Sequence, residues 1–187
     1  GVLQGFKLNL PEKKILGKAK TLKLRALKDG EDFKGIYNAL YSYNTIIPND
    51  VVIVENEISE FAYFGELNAN LAIRSGASAA IIGGVTRDTA EVEKLGFPVF
   101  SKGSNCKDVR KRATMESFNK TIEMEGIKVS PNDLIFGDND GIIIIPKKYE
   151  EKILQRVFEV IKTESNVLVD IANGVDVDQL TKDHGLF

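Results

Sequence analysis

Apolar residues recur along this chain with two periods, and stretches of the two alternate. Over 17–27, Ala19, Leu22, Leu24 and Ala26 are interleaved with basic residues, which predicts a half-buried strand. Over 32–43, Phe33, Ile36, Tyr37, Leu40 and Tyr41 stand at helical spacing. Ile47-Pro48-Asn49-Asp50 sets a turn, and the β-branched run at 51–54 predicts a buried strand. A helix opens at Gly65-Glu66 and runs to about Arg74, with Leu67, Leu71 and Ala72 apolar and Gly76 as C-cap. Residues 79–82 form a short buried strand ended by Gly83-Gly84, 89–95 a short helix closed by Gly96, and 97–100 an edge strand.

The charged stretch 108–128, with alternating apolar residues, predicts strands with one solvated face. Ser130-Pro131-Asn132-Asp133 repeats the earlier turn and again leads into an apolar strand, Leu134, Ile135 and Phe136. Asp140-Gly141 between Phe136 and Ile142 signals a hairpin. An amphipathic helix covers 149–161, with Tyr149, Ile153, Val157, Val160 and Ile161 on one face, read as core packing. Strand–helix alternation makes the class α/β with a mixed sheet, read as one domain over 1–187 whose C-terminal helix spans about 147–164.

Composition narrows the function. Lysine plus arginine total 25 against 27 aspartate plus glutamate, a net charge of -2. Direct binding of nucleic acid by the whole surface is therefore not expected. The single cysteine, Cys106, cannot form an internal disulfide, which points to a reducing, cytoplasmic setting. No apolar run approaches the ~18 residues of a membrane span. The chain begins with Gly1, so the natural start is expected to lie elsewhere. The single histidine, His184, is read as a surface residue, and one histidine excludes a multi-histidine metal site. Metal chemistry would then use carboxylates and water, which favours a hard cation such as Mg²⁺.

Candidate chemistry concentrates in 65–88. Gly65 precedes a helix N-terminus, where free N–H groups and the helix dipole favour an anion. Arg87 and Asp88 follow a strand ended by glycines, so a loop at a strand's carboxyl end should present them. Arginine grips a carboxylate with two N–H bonds, and an adjacent aspartate ligates a divalent ion. Asp88 with Glu91 equally fits a capping pattern for the helix at 89–95. Asp138-Asn139-Asp140-Gly141 fails the calcium-loop spacing at Ile142 and reads as a tight turn. Cys106 has no histidine to activate it, and no Walker A loop, dinucleotide fingerprint or nucleophile elbow occurs.

Gly65-Glu66-Leu67, Ala69-Asn70-Leu71-Ala72, Gly76-Ala77, Gly84-Val85-Thr86-Arg87-Asp88 and Phe97-Pro98-Val99-Phe100 together resemble the regulator of ribonuclease activity A (RraA) family. That family includes the 4-hydroxy-4-methyl-2-oxoglutarate aldolases, or class II pyruvate aldolases. The strings at 129–134 and 137–146 resemble its second signature, and the similarity runs to about Ile161.

The resemblance implies a swivelling β/β/α domain with a mixed central sheet or barrel-like core. It implies a homotrimer or hexamer with active sites at subunit interfaces. It also implies a divalent metal, Mg²⁺ or Mn²⁺, on Asp88, with the substrate carboxylate on Arg87 and on backbone amides after Gly65, at Glu66, Leu67 and Asn68. Glu66 would position a metal-bound water, where many members carry aspartate. A further carboxylate would come from the neighbouring subunit, with Glu164 a candidate. The implied activity is lyase chemistry on a small 2-oxo acid, by aldol cleavage or oxaloacetate decarboxylation through a metal-stabilised pyruvate enolate. The alternative is a non-catalytic regulator that binds an RNA-degrading endonuclease. Two departures stand out. The family's usual N-terminal helical segment, with its Ser/Thr-Ala and Ser-Asp pattern, has no counterpart, which suggests part of a longer protein. Both turns carry Pro-Asn-Asp where Pro-Gly-Asp is usual.

Overall fold

The structure is a computed structural model that describes residues 1–185; the last two residues of the expected 1–187 domain lie outside the described residues. The chain forms two compact units, Gly1–Lys147 and Lys148–Phe187. The first holds the strands β1 (Val2–Leu3), β2 (Lys7–Leu8), β3 (Ile15–Ala26), β4 (Asp50–Asn56), β5 (Ala79–Ile82), β6 (Val99–Ser101), β7 (Ala113–Phe118), β8 (Ile122–Met124), β9 (Ile127–Val129), β10 (Leu134–Asp138) and β11 (Gly141–Ile145). Its α-helices are α1 (Asn38–Tyr41), α2 (Glu66–Ser75) and α3 (Thr89–Lys94).

The central sheet has the order β1-β11-β10-β3-β4-β5-β6-β2, with β7 also paired to β3. Strands β3 to β6 are parallel neighbours and the flanking pairings are antiparallel. The mixed α/β class follows. Strands β8 and β9 form a separate hairpin. Two cores lie on opposite faces of the parallel strands. In β4, Val52 and Val54 enter one core while Val51 and Ile53 enter the other; in β5, Ala80 and Ile82 oppose Ala79 and Ile81. A strand buried on both faces has no polar face to display, which is why these stretches read as continuous apolar runs. Strand β3 changes sides along its length. Ile15 and Ala19 face one core, Leu22 and Leu24 the other, and buried Thr21 between them donates to the Lys120 carbonyl at 2.6 Å.

The two Pro-Asn-Asp turns are structural counterparts on either side of β3. Asn49 and Asn132 both adopt the left-handed conformation, φ 71° and 69°. Asp50 accepts from Ile47 N–H at 3.0 Å, and Asp133 from Ser130 N–H at 2.8 Å. Each turn closes on its own aspartate and delivers a strand to one edge of β3.

Several expectations change. Strand β6 is not an edge, because β2 pairs with it at Lys7↔Ser101 and Leu8↔Phe100. The stretch 32–43 is not one helix; it breaks into 3₁₀ turns flanking α1. There Gly35 comes so close to Thr114 Oγ1 that a side chain has no room. Much of the stretch 108–128 is loop, with strands only at β7, β8 and the start of β9. In the second unit, α4 (Glu150–Ala172) is longer than expected and α5 (Val177–His184) follows it. Among that unit's described residues Val167 and Leu180 are the buried apolar ones, while Tyr149, Val157, Val160 and Ile161 are exposed, so the expected face is not packed as core. His184 is no free surface residue, since Nε2 lies 2.7 Å from Asp170 Oδ2.

Candidate functional site

Three loops leave the carboxyl ends of the adjacent parallel strands β4, β5 and β6 and converge. Isolated bridges Phe64↔Thr86 and Thr86↔Ser104 extend the sheet order beyond its regular strands. Arg87 N–H donates to the Phe64 carbonyl at 3.0 Å, and Asn105 N–H to that of Thr86 at 2.8 Å. Gly84 permits this convergence: a Cβ there would lie 2.5 Å from the Ser59 carbonyl oxygen. Gly65 is thereby set beside Arg87 and Asp88. Crevices at the carboxyl ends of parallel strands are where open α/β sheets hold ligands.

Asp88 occupies the position before α3 but does not make the cap that its spacing from Glu91 allows. Instead its Oδ2 accepts from Glu66 N–H, the first amide of α2, at 3.2 Å. Asp88 itself is left-handed, φ 54° and ψ 35°, a conformation that aspartate tolerates better than most residues. The carboxylate of one loop thus caps the helix of another, and the dipole of α2 favours its charge. Gly65, in extended backbone at φ −156°, lies against the carboxylate. A Cβ on Gly65 would sit 2.5 Å from Asp88 Oδ2 and 2.9 Å from Arg87 Cγ.

Arg87 is flanked by two acids. Its Nε lies 3.8 Å from Asp88 Oδ2, and its Nη2 lies 3.0 Å from Asp108 Oδ2. Nε is buried without a hydrogen-bond partner. Asp108 was not among the residues singled out from the sequence, and its spacing from Arg87 carries no periodic signal. A polar cavity of about 470 Å³ is lined by Arg87, Asp88, Ser104, Asn105 and Cys106. A larger, mostly apolar cavity of about 580 Å³ lies along α2, with Leu67, Asn68, Arg87 and Asp108 among its walls.

The remaining predicted residues are placed as follows. Glu66 is exposed and meets Asp88 through its backbone rather than its carboxylate. Leu67 is exposed at the first turn of α2. Asn68 is buried and its Nδ2 donates to Tyr43 Oη at 3.2 Å, locking that turn onto the residues before β4. Burial pushes the Tyr43 hydroxyl up to about 12, so it stays protonated. Glu164 lies exposed on α4 in the second unit.

The donor set tests the implied metal. Among the described residues no group of three or more His, Cys, Asp or Glu side chains could hold an ion. That excludes a closed zinc-type cage within one chain. A hard cation such as Mg²⁺ keeps several waters and needs one or two carboxylates plus ligand oxygens. Asp88, with one oxygen engaged by Glu66 N–H and the orphaned Nε of Arg87 beside it, fits that demand.

Gly65, Arg87 and Asp88 thus meet at the N-terminus of α2, at the carboxyl ends of the parallel strands of a mixed α/β sheet. The chain belongs to the RraA-like family: the Aldolase/RraA family model matches residues 2–144. Protein DlpA of Legionella pneumophila is 24% identical over 173 residues, covering 91% of this chain and 28% of its own length. A Halalkalibacterium halodurans protein provisionally named as a 4-hydroxy-4-methyl-2-oxoglutarate aldolase is 28% identical over 143 residues, 76% of this chain and 64% of that protein. The chain thus spans less than two thirds of either relative. In fold it is similar to an uncharacterized protein from Pseudomonas syringae, with a TM-score of 0.86 at 21% identity, covering 98% of this chain and 82% of the other. It is likewise similar to Streptomyces coelicolor RraAS2, described as an unusual member of the RNase ES inhibitor RraA protein family, with a TM-score of 0.77 at 20% identity, covering 88% and 81%. Among the described residues no helix is long and apolar enough to cross a membrane.

Proposed function

We propose that the domain is a divalent-metal-dependent lyase that cleaves a C–C bond of a small 2-oxo acid, by aldol cleavage, by oxaloacetate decarboxylation, or both. The observation that carries this reading is the packing of Asp88 and Arg87 together against Gly65 at the N-terminus of α2. Asp88 holds the cation, Mg²⁺ by preference. Once bound, that ion supplies Lewis-acid stabilisation of the charge that develops on the 2-oxo oxygen.

The chain's own residues do the rest. Arg87 neutralises the substrate carboxylate and fixes its orientation. The first-turn amides of Leu67 and Asn68 have no intrahelical acceptor, so they are available to the same anion. The C3–C4 bond breaks, its electron pair passes into the pyruvyl unit, and a proton is added at C3. In aldol cleavage the C4 hydroxyl gives its proton to a base. Glu66, exposed at the opening of α2, would position the water that takes up and returns the proton in this reading. A homotrimer or hexamer completes the site in the same reading, with an acid such as Glu164 from a neighbouring copy.

Oxaloacetate decarboxylation tests the proposal, measured with Mg²⁺, with chelator, and in Asp88→Asn. Activity lost under chelation and in the variant is expected. Turnover that survives both would overturn the metal-dependent mechanism and the role of Asp88 in it. A folded but inactive wild type that binds an RNA-degrading endonuclease would instead support a regulatory protein.

A further inference from the structure

Arg87 stands between two carboxylates that engage it differently. Asp108 Oδ2 is at hydrogen-bond distance from Nη2, 3.0 Å, whereas Asp88 Oδ2, 3.8 Å from Nε, is beyond it. Nε and Nη2 share the edge of the guanidinium that grips a carboxylate side-on. An unrestrained arginine beside Asp88 would close that edge onto it, because the bidentate pair is the stronger arrangement. Here Nη2 lies beside Asp108 instead, and Nε is buried and unpartnered.

Asp108 is itself anchored on several sides. Its Oδ1 accepts from Arg110 N–H at 2.6 Å. Its backbone forms a bridge with Ala62. Ala62 N–H donates to the Lys107 carbonyl at 2.7 Å, and Val109 N–H to that of Ala62 at 3.2 Å. A carboxylate pinned this way is a fixed post for Arg87 rather than a mobile ligand. The ion pair is also half-exposed, so its value lies in orientation more than in stability.

We propose that Asp108 is a positioning residue: it withholds Arg87 from Asp88, which keeps the Asp88 carboxylate open to a divalent cation and the free end of the guanidinium open to the substrate. The inference rests on the reading of Asp88 as the cation ligand. Without a charge at position 108, Arg87 turns its side-on edge to Asp88, and the cation must compete with a guanidinium for the same carboxylate.

Direct Mn²⁺ binding, followed by electron paramagnetic resonance without substrate, tests this on the whole chain. Asparagine at 108 keeps an acceptor for Arg110 N–H and removes the charge, so Asp108→Asn leaves the loop its local hydrogen bond. Asp108→Asn is expected to weaken Mn²⁺ binding about five- to tenfold, the scale of a partly screened ion pair. Asp108→Glu, which keeps the charge, is expected to retain most of the affinity. In an Arg87→Ala background, Asp108→Asn should change binding by less than about threefold, because the effect passes through Arg87. Equal weakening in both backgrounds would overturn the inference, since Asp108 would then act by through-space charge alone. Unchanged binding in Asp108→Asn, while Asp88→Asn abolishes it, would overturn the inference and leave the site reading intact. Absence of Mn²⁺ binding in the wild type, or binding indifferent to Asp88→Asn, would overturn the site reading and this inference with it.

Discussion

Gly65→Ala adds one methyl group to a position whose backbone accepts any residue. At φ −156° the glycine is extended, so alanine brings no backbone strain. The whole effect is therefore steric and local. The new Cβ would lie 2.5 Å from Asp88 Oδ2, against ordinary contact at 3.4 Å, so the carboxylate must retreat by about 0.9 Å. It would also lie 2.9 Å from Arg87 Cγ, so both site side chains shift together. The 3.2 Å bond from Glu66 N–H to Asp88 does not survive such a retreat. Loss of a cap costs about 1 kcal/mol. For a chain of this size that lowers Tm by about 2–4 °C. A reacting group displaced by about 1 Å costs on the order of 100-fold in rate. Oxaloacetate decarboxylation with saturating Mg²⁺, beside a thermal melt, reads both quantities. Gly96→Ala is the control: φ is +67° with nothing within 4 Å of the added atom, so it costs about 1 kcal/mol in backbone strain and touches no site residue. Near-wild-type turnover in Gly65→Ala, within about threefold, would refute the idea that this cradle seats the reacting groups.

Other substitutions separate charge from architecture. Asp88→Asn and Asp88→Ala should both abolish turnover, but asparagine keeps an acceptor for Glu66 N–H and tolerates φ 54°, so Asp88→Ala should melt about 2–4 °C lower. Asn49→Ala and Asn132→Ala should each cost about 1 kcal/mol through their positive φ, whereas the glycine replacements should not; chemical denaturation measures the difference. Two hydrogen bonds from Arg25 hold the Glu31 carboxyl at about 2, below its ordinary 4.5. A depressed carboxylate stabilises the fold above the ordinary value and loses that contribution as pH falls toward the depressed one. The stability gap between wild type and Glu31→Gln should therefore be full above about pH 4.5 and close toward pH 2, as acid-unfolding curves of the two proteins would show.

Local rules made most of the fold legible. Continuous apolar runs at 51–54 and 79–82 announced buried strands, and the two Pro-Asn-Asp motifs announced turns, whose asparagines the structure shows to be left-handed. The Asp140-Gly141 hairpin, the glycine after α2 and the glycine after α3 are of the same kind. Where the reading went astray, a distant neighbour decided. Strand β6 ceased to be an edge because a two-residue strand from the N-terminal stretch paired with it, and nothing in so short a segment signals a strand.

The site divides along the same line. Chain order and side-chain chemistry were enough to single out Gly65, Arg87 and Asp88, because a glycine before a helix and charged residues after a glycine-ended strand have meanings of their own. Whether Asp88 caps its own helix or serves another could not be read from spacing, since both geometries satisfy the same pattern. The tertiary structure decided it, by bringing the loop after β5 against the first amide of α2. It also supplied Asp108, which meets Arg87 only because the loop after β6 bridges back to Ala62. Periodicity and turn chemistry act within a few residues of chain; an ion pair between two loops depends on how whole strands are ordered in a sheet.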